Sequence, residues 1–265
     1  MRVLVTGGTG VLGRELVQRL HDRSDVRVLS RRPSDEPGFV RGDLDTGDGL
    51  AAAVEGVDVI AHCATSADYR RPQRDVEGTR RLVEAVGGGR PHVVYISIVG
   101  VDQVPFGYYR AKLATERLIE DSGVPWTVLR TTQFHDLALT FMMLLAKGPV
   151  AVVPRGFRGQ PVDVGEVADR MATLVLGDPA GRVADLGGPR VEDAVDMMRK
   201  YLAATGRRRP LLRVPIPGRV AAAFRAGGHL VVEGERANRT FEEYLRSRLG
   251  PGGSIEMPYD LRQRW

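Results

Sequence analysis

The chain has 265 residues, with 38 lysines and arginines against 33 aspartates and glutamates and a formal net charge of +5. That length allows one large domain, or a domain with a smaller appendage, around a sizeable core. The composition excludes several classes: the apolar stretch from Leu137 to Ala146 is too short to span a bilayer, the single Cys63 cannot form an intramolecular disulfide framework, and the scattered arginines form no basic stripe interleaved with aromatics, which argues against nucleic acid as a partner.

In chain order, the pattern predicts a strand over Arg2–Thr6, a glycine turn, and a helix over Val11–Leu20. A strand follows at Val26–Ser30, then a short one at Phe39–Val40 with its exit loop at Gly42-Asp43-Leu44, and a short helix at Gly49–Val54. The alternation continues with a strand at Val57–His62, a helix at Asp75–Val86, a strand at His92–Ser97, a helix at Tyr108–Glu120 and a strand at Trp126–Arg130. Strands alternating with helices predict an α/β fold, a doubly wound parallel sheet with helices on both faces and ligands at the carboxyl ends of the strands.

Beyond residue 131 the alternation loosens. Helices are expected over Phe134–Ala146, Gly165–Leu176, Val191–Ala204 and Phe241–Leu249, and short strands over Val150–Val153, Gln160–Val164 and Leu211–Ile216. Asp163 or Gly165 stands near a helix cap. The chain divides into residues 1–150, a nucleotide-binding unit, and residues 151–265, a smaller interwoven region that covers the substrate. No export signal is read before the first strand, so a reducing cytoplasm is the expected setting.

Residues 2–13 read RVLVTGGTGVLG. Gly7 permits a sharp turn, Gly10 lets backbone N–H groups approach phosphate oxygens, and Gly13 lets the helix pack close on its strand. The helix N-terminus then attracts the anion, which predicts a dinucleotide pyrophosphate against Gly7, Thr9, Gly10, Val11, Leu12 and Gly13. About twenty residues on, a site for NAD(H) usually carries a carboxylate for the ribose hydroxyls. This chain has Ser30-Arg31-Arg32, and two guanidiniums suit a 2′-phosphate, so NADP(H) is expected over NAD(H).

Tyr108 and Lys112 lie four apart on a predicted helix, hence on one face. With seven tyrosines and three lysines in the chain, chance gives such a pair about 0.08 times. An ammonium beside a phenol stabilises phenolate, so Tyr108 can give a proton to a carbonyl oxygen or take one back. Ser97, at the end of the fifth strand, is placed to hold the substrate oxygen and complete a Ser97, Tyr108, Lys112 catalytic set. No His/Cys/Asp spacing suggests a metal site.

TGGTGVLG, GDL at 42–44, DVEGTRRLVEAV at 75–86 and YYRAK at 108–112 together resemble the short-chain dehydrogenase/reductase superfamily. The glycine spacing is similar to its extended and atypical branches, and LSRRP and PVDVGEVA to NmrA-like and quinone-reductase-like members. The resemblance covers roughly residues 1–176. It implies a Rossmann-type sheet with a small C-terminal substrate subdomain. It also implies that Asp43 and Leu44 flank the adenine, that Cys63, Ala64 and Thr65 lie against the cofactor ribose, and that Thr131 and Gln133 flank the nicotinamide and substrate. Lys112 would also bond the nicotinamide ribose. Cys63, His62 and His135 read as packed structural residues rather than catalytic ones.

The sequence thus points to an NADP(H)-dependent oxidoreductase moving hydride to or from a small carbonyl, quinone or alcohol. Two alternatives stay open: an epimerase or dehydratase acting on a nucleotide sugar with bound dinucleotide, and an NmrA-like NADP sensor without catalysis. The short second half counts against the first, and the intact Tyr108/Lys112 pair against the second. A small molecule is the expected partner, with no nucleic acid and no membrane, in a monomer or homodimer.

Overall fold

A computed structural model of the chain describes residues 1–34, 36–65 and 71–259. The first half runs β1 (Arg2–Thr6), α1 (Val11–Leu20), β2 (Asp25–Ser30), β3 (Phe39–Arg41), α2 (Leu50–Val54), β4 (Val59–His62), α3 (Gln73–Val86), β5 (His92–Ile98), α4 (Gly107–Glu120) and β6 (Trp126–Thr131). The second half adds α5 (His135–Leu145), β7 (Ala151–Pro154), β8 (Arg158–Gly159), α6 (Val164–Val175), β9 (Gly181–Arg182), β10 (Leu186–Gly187), β11 (Glu192–Asp193), α7 (Ala194–Ala204), β12 (Leu211–Val214), α8 (Arg219–Ala226), β13 (Glu235–Arg236) and α9 (Phe241–Ser247).

Nine strands form one sheet in the order β13-β10-β6-β5-β4-β1-β2-β3, with β9 also on β6, and every pairing is parallel. The order reverses between β1 and β4, which opens a crevice at the carboxyl ends of those strands. Both faces are covered, so the strands are apolar on both sides. Val3, Val5, Val94 and Ile96 pack with Leu12, Leu16 and Leu20 of α1 and Val167 and Met171 of α6. The alternate residues Leu4, Ile60, Val93 and Tyr95 pack with Leu50, Leu82 and Ile119 from α2, α3 and α4. A second core cluster joins α5, α7, α9 and β7 through Leu139, Met142, Val153, Met198, Tyr201 and Phe241.

A buried ion network fixes α4, which carries Tyr108 and Lys112, to the sheet. The Arg130 guanidinium on β6 donates to both Glu116 oxygens, at 2.9 and 2.6 Å, and to Asp102 at 2.9 Å. The Arg130 and Glu116 side chains are 4% and 2% exposed. Burial raises the Asp102 carboxyl, but the hydrogen bond and charge of Arg130 hold it below its ordinary range.

Three details differ from the sequence reading. The strand expected over Gln160–Val164 is absent. β8 pairs antiparallel with β11 over two residues, and Val162 makes only an isolated bridge to Phe134. Gln160 works through its side chain instead, donating to the Gly188 carbonyl and accepting from the Val231 N–H. Pro161 has no N–H for a ladder. The helix expected from Val191 begins at Ala194, where the Asp193 side chain accepts from the Val195 N–H. Finally, α8 forms between Gly218 and Gly227, where the sequence analysis assigns no element. Asp163 caps α6, accepting from Gly165 and Glu166. Among the described residues no helix is long and apolar enough to cross a membrane.

Candidate cofactor and active site

β1 delivers the chain into the glycine turn. Gly7 has φ +70°, and a Cβ there would lie 2.7 Å from the backbone of Ala64, so the turn abuts the exit of β4 directly. A Cβ on Gly13 would come within 2.1 Å of the Gly7 carbonyl oxygen, which fixes how close α1 packs. Around Gly10 the nearest such atom is the Gly7 oxygen at 3.1 Å, and Gly10 itself is exposed. No side chain caps α1 at Gly10. The first N–H groups of a helix lack intrahelical acceptors and carry its positive end, so this uncapped cradle fits a pyrophosphate.

At the end of β2, Ser30 Oγ donates to the Arg32 carbonyl and accepts from the Arg32 N–H, holding the Arg31-Arg32 turn. Arg31 Nη1 lies 3.9 Å from Asp45 Oδ2, and Arg74 at the start of α3 grips the same carboxylate at 2.5 and 3.2 Å. Asp43 Oδ1 accepts from the Asp45 N–H at 2.8 Å, and Leu44 sits against Gly78 of α3. The sequence reading missed Asp45 and Arg74, which lie 29 residues apart and meet only in the fold.

Beside the glycine turn, His62 bridges β1 and α3. Its Nδ1 lies 2.7 Å from Thr6 Oγ1 and its Nε2 2.9 Å from Thr79 Oγ1. Thr79 donates its own proton to the Asp75 carbonyl, so His62 must donate from Nε2 and accept at Nδ1. Burial pushes the imidazole down to about 3, helped by the nearby Lys112 charge, and it stays neutral. Cys63 is likewise held as a thiol, pushed up to about 12 by burial against the pull of Lys112. Both side chains are thus held in their neutral forms.

Tyr108 and Lys112 face the same end of the sheet. Tyr108 Oη lies 3.0 Å from Thr65 Oγ1, which donates to Asp75 Oδ2 at 2.6 Å. Lys112 is 3% exposed, donates to the Ile96 carbonyl at 3.3 Å, and sits 4.8 Å over the Tyr95 ring, a cation–π contact. Burial works against its charge, but the oxygens of Tyr95, Tyr108 and Asp75 more than offset this and hold its proton affinity above the ordinary lysine range. Tyr109 faces away, packing edge-on against Phe224 of α8 at 5.8 Å.

The remaining candidates occupy adjoining strand ends. Ser97 pairs with Arg130 and Ile98 with Thr131 in the β5–β6 register. Ser97 is enclosed, 1% exposed, and its Oγ has no hydrogen-bond partner among the described residues. Thr131 is buried and Gln133 half-buried. His135 turns away into the second core: its Nε2–H donates to the Arg239 carbonyl, its ring stacks on Tyr244 at 5.0 Å, and burial pushes it down to about 4.

A glycine cradle at the switch point of a parallel sheet, with an acidic-to-basic edge for the adenosine end, defines a Rossmann-type dinucleotide-binding protein. The chain belongs to the NAD(P)H-binding family, which it matches over residues 7–176. It is 29% identical over 223 residues to (4-alkanoyl-5-oxo-2,5-dihydrofuran-3-yl)methyl phosphate reductase of Streptomyces griseus, covering 77% of this chain and 74% of that one. It is 27% identical to photosystem II assembly factor Ycf39 of Cyanophora paradoxa, covering 82% and 72%. Among solved structures, a short-chain dehydrogenase/reductase superfamily protein from Agrobacterium tumefaciens with bound NAD superposes with TM-score 0.72 at 22% identity, covering 93% and 95%. An NADPH-dependent quinone oxidoreductase from Escherichia coli, complexed with NADPH, gives 0.76 at 16% identity, covering 91% and 98%. At these identities the structural likeness concerns the fold, and it agrees with the superfamily that the sequence motifs resemble.

Proposed function

We propose that the protein is an NADP(H)-dependent oxidoreductase acting on a small carbonyl, quinone or alcohol, with Tyr108 as its acid/base. The observation that carries this reading is the placement of Tyr108 and Lys112 one helical turn apart, beside the backbone that touches the glycine cradle. The bound dinucleotide supplies or accepts the hydride. Tyr108 gives the proton to the substrate oxygen, or removes it in reverse. Lys112, buried and charged, favours the phenolate that results. Ser97, the third member of the expected set, is enclosed and its hydroxyl has no partner among the described residues, which makes it the most weakly placed of the three.

Arg31 and Arg32 support NADP(H) over NAD(H), since no carboxylate ends β2. Gly7, Thr9, Gly10, Val11, Leu12 and Gly13 would hold the pyrophosphate. Ser30, Asp43 and Leu44 would border the adenosine, and Cys63, Ala64, Thr65, Thr131 and Gln133 the nicotinamide half. Residues after 150 are read as the substrate-covering part, with Phe157, Phe224 and His229 forming an aromatic group behind Tyr109. The test is NADPH oxidation against quinones, aldehydes and ketones, with Tyr108→Phe as control.

A further inference from the structure

The hydrogen bonds around Tyr108 have a direction. A carboxylate only accepts, so the single Thr65 proton points to Asp75 Oδ2, at 2.6 Å. The 3.0 Å contact between Thr65 Oγ1 and Tyr108 Oη must then be donated by Tyr108. The result is an oriented chain, Tyr108 to Thr65 to Asp75. Its far end is anchored from below: the Asp75 carbonyl accepts from Thr79, which accepts from His62.

Lys112 offers no equivalent outlet. It is 3% exposed and its ammonium points inward to the Ile96 carbonyl and the Tyr95 ring. Thr65 is exposed and Asp75 half-buried, so this branch reaches water. We propose that Thr65 and Asp75 form the proton relay that connects Tyr108 with solvent. The proposal rests on the reading of Tyr108 as the acid/base.

In the reducing direction the substrate carbon receives a hydride and its oxygen takes the Tyr108 proton, breaking the phenolic O–H bond. The phenolate takes the Thr65 proton as Thr65 takes one from the Asp75 carboxyl, in one concerted shift. Asp75, a carboxylate between turnovers, takes that proton from a hydronium ion, which leaves as water. One proton enters from solvent for each one delivered, and the oxidising direction runs the same chain outward.

The variants are Thr65→Val, which keeps the shape but removes the hydroxyl, Thr65→Ser, which restores it, and Asp75→Asn, which accepts a hydrogen bond but carries no proton. Each is assayed for NADPH oxidation with the fastest carbonyl compound in a panel of quinones and aldehydes. Thr65→Val and Asp75→Asn should lower kcat about 10- to 100-fold, on the scale of acid/base contributions. NADPH binding by Asp75→Asn should stay within about twofold, and Thr65→Ser should recover most of the rate. The solvent deuterium isotope effect on kcat should rise in Thr65→Val.

A second readout needs no turnover. Ultraviolet difference spectra against Tyr108→Phe follow phenolate formation, which should occur at lower pH in Asp75→Asn because the carboxylate at the end of the chain opposes it. Unchanged kcat in Thr65→Val, failure of Thr65→Ser to recover, or an unmoved phenolate signal in Asp75→Asn would overturn the relay. In each of those cases an inactive Tyr108→Phe leaves the acid/base reading standing. Retained activity in Tyr108→Phe removes both.

Discussion

Asp45 stands where it weakens the site proposed for the 2′-phosphate. Its carboxylate is 3.9 Å from Arg31 and is held in place by Arg74 at 2.5 Å. A 2′-phosphate approaching Arg31 must compete with Asp45 and is repelled by it. Unit charges about 4 Å apart interact by roughly 1 kcal/mol in a water-like dielectric, and exposed pairs measure about 0.2–1 kcal/mol. The Arg31 side chain is 73% exposed and that of Asp45 32%, so the screened end of that range applies. Asp45→Asn should therefore tighten NADPH binding by up to about 1 kcal/mol, roughly three- to fivefold in Kd at low salt. The gain should shrink as ionic strength rises and the Debye length falls below about 10 Å. NADH, which lacks the phosphate, should bind the two proteins equally. Fluorescence titration of both nucleotides, at two salt concentrations, measures this. Equal tightening of NADH, or no change for NADPH, would refute the competition. Wild-type binding of NADH as tight as NADPH would remove the argument from Arg31 and Arg32 altogether.

Two further predictions concern the frame that holds the site. Glu116→Gln leaves the Arg130 charge buried with one partner fewer, which should cost about 3–5 kcal/mol and lower Tm by about 10 °C in a chain of this size, read by calorimetry. A fall of a degree or two would show that Asp102 alone satisfies Arg130. Acid should also destabilise the fold through His62 and His135, whose pKa values are pushed down to about 3 and about 4. Both bind their proton more readily when unfolded, so the stability they contribute is complete above about pH 6.5 and declines as pH falls toward 4, by about 1.4 kcal/mol per unit per histidine. Urea unfolding at pH 7, 6 and 5 should show a downward slope, and His135→Gln, which can still donate to the Arg239 carbonyl, should lessen it by up to about 1.4 kcal/mol per pH unit; an unchanged slope would contradict the assignment.

What the sequence reveals is what depends on short, fixed spacing. The glycine turn and the Tyr108/Lys112 pair are local geometry, set by a tight turn and by one helical turn, and the parallel sheet follows from alternating apolar runs. What it hides is what the fold assembles. Asp75 and Tyr108 lie 10 and 43 residues from Thr65 along the chain, and the three converge only when α3 and α4 dock beside β4. Asp75 lay within the quoted 75–86 helix motif, but nothing in that spacing gave its carboxylate a role. The two-residue strands β9, β10 and β13 carry no periodicity, and they exist because β6 and its neighbours present an edge to pair with. Gln160 shows the limit from the other side: an apolar stretch resembling a strand is held by side-chain hydrogen bonds to Gly188 and Val231 instead.

The central claim is that Tyr108 transfers a proton during hydride exchange with NADP(H), and it is tested most directly by NADPH consumption at 340 nm in the wild type and in Tyr108→Phe against quinones, aldehydes and ketones. The account predicts turnover of at least one such compound by the wild type and a loss of about 10²–10⁴-fold in Tyr108→Phe, with NADPH still bound. Turnover that survives the substitution, or tight NADPH binding with no oxidation of any compound tried, would contradict it.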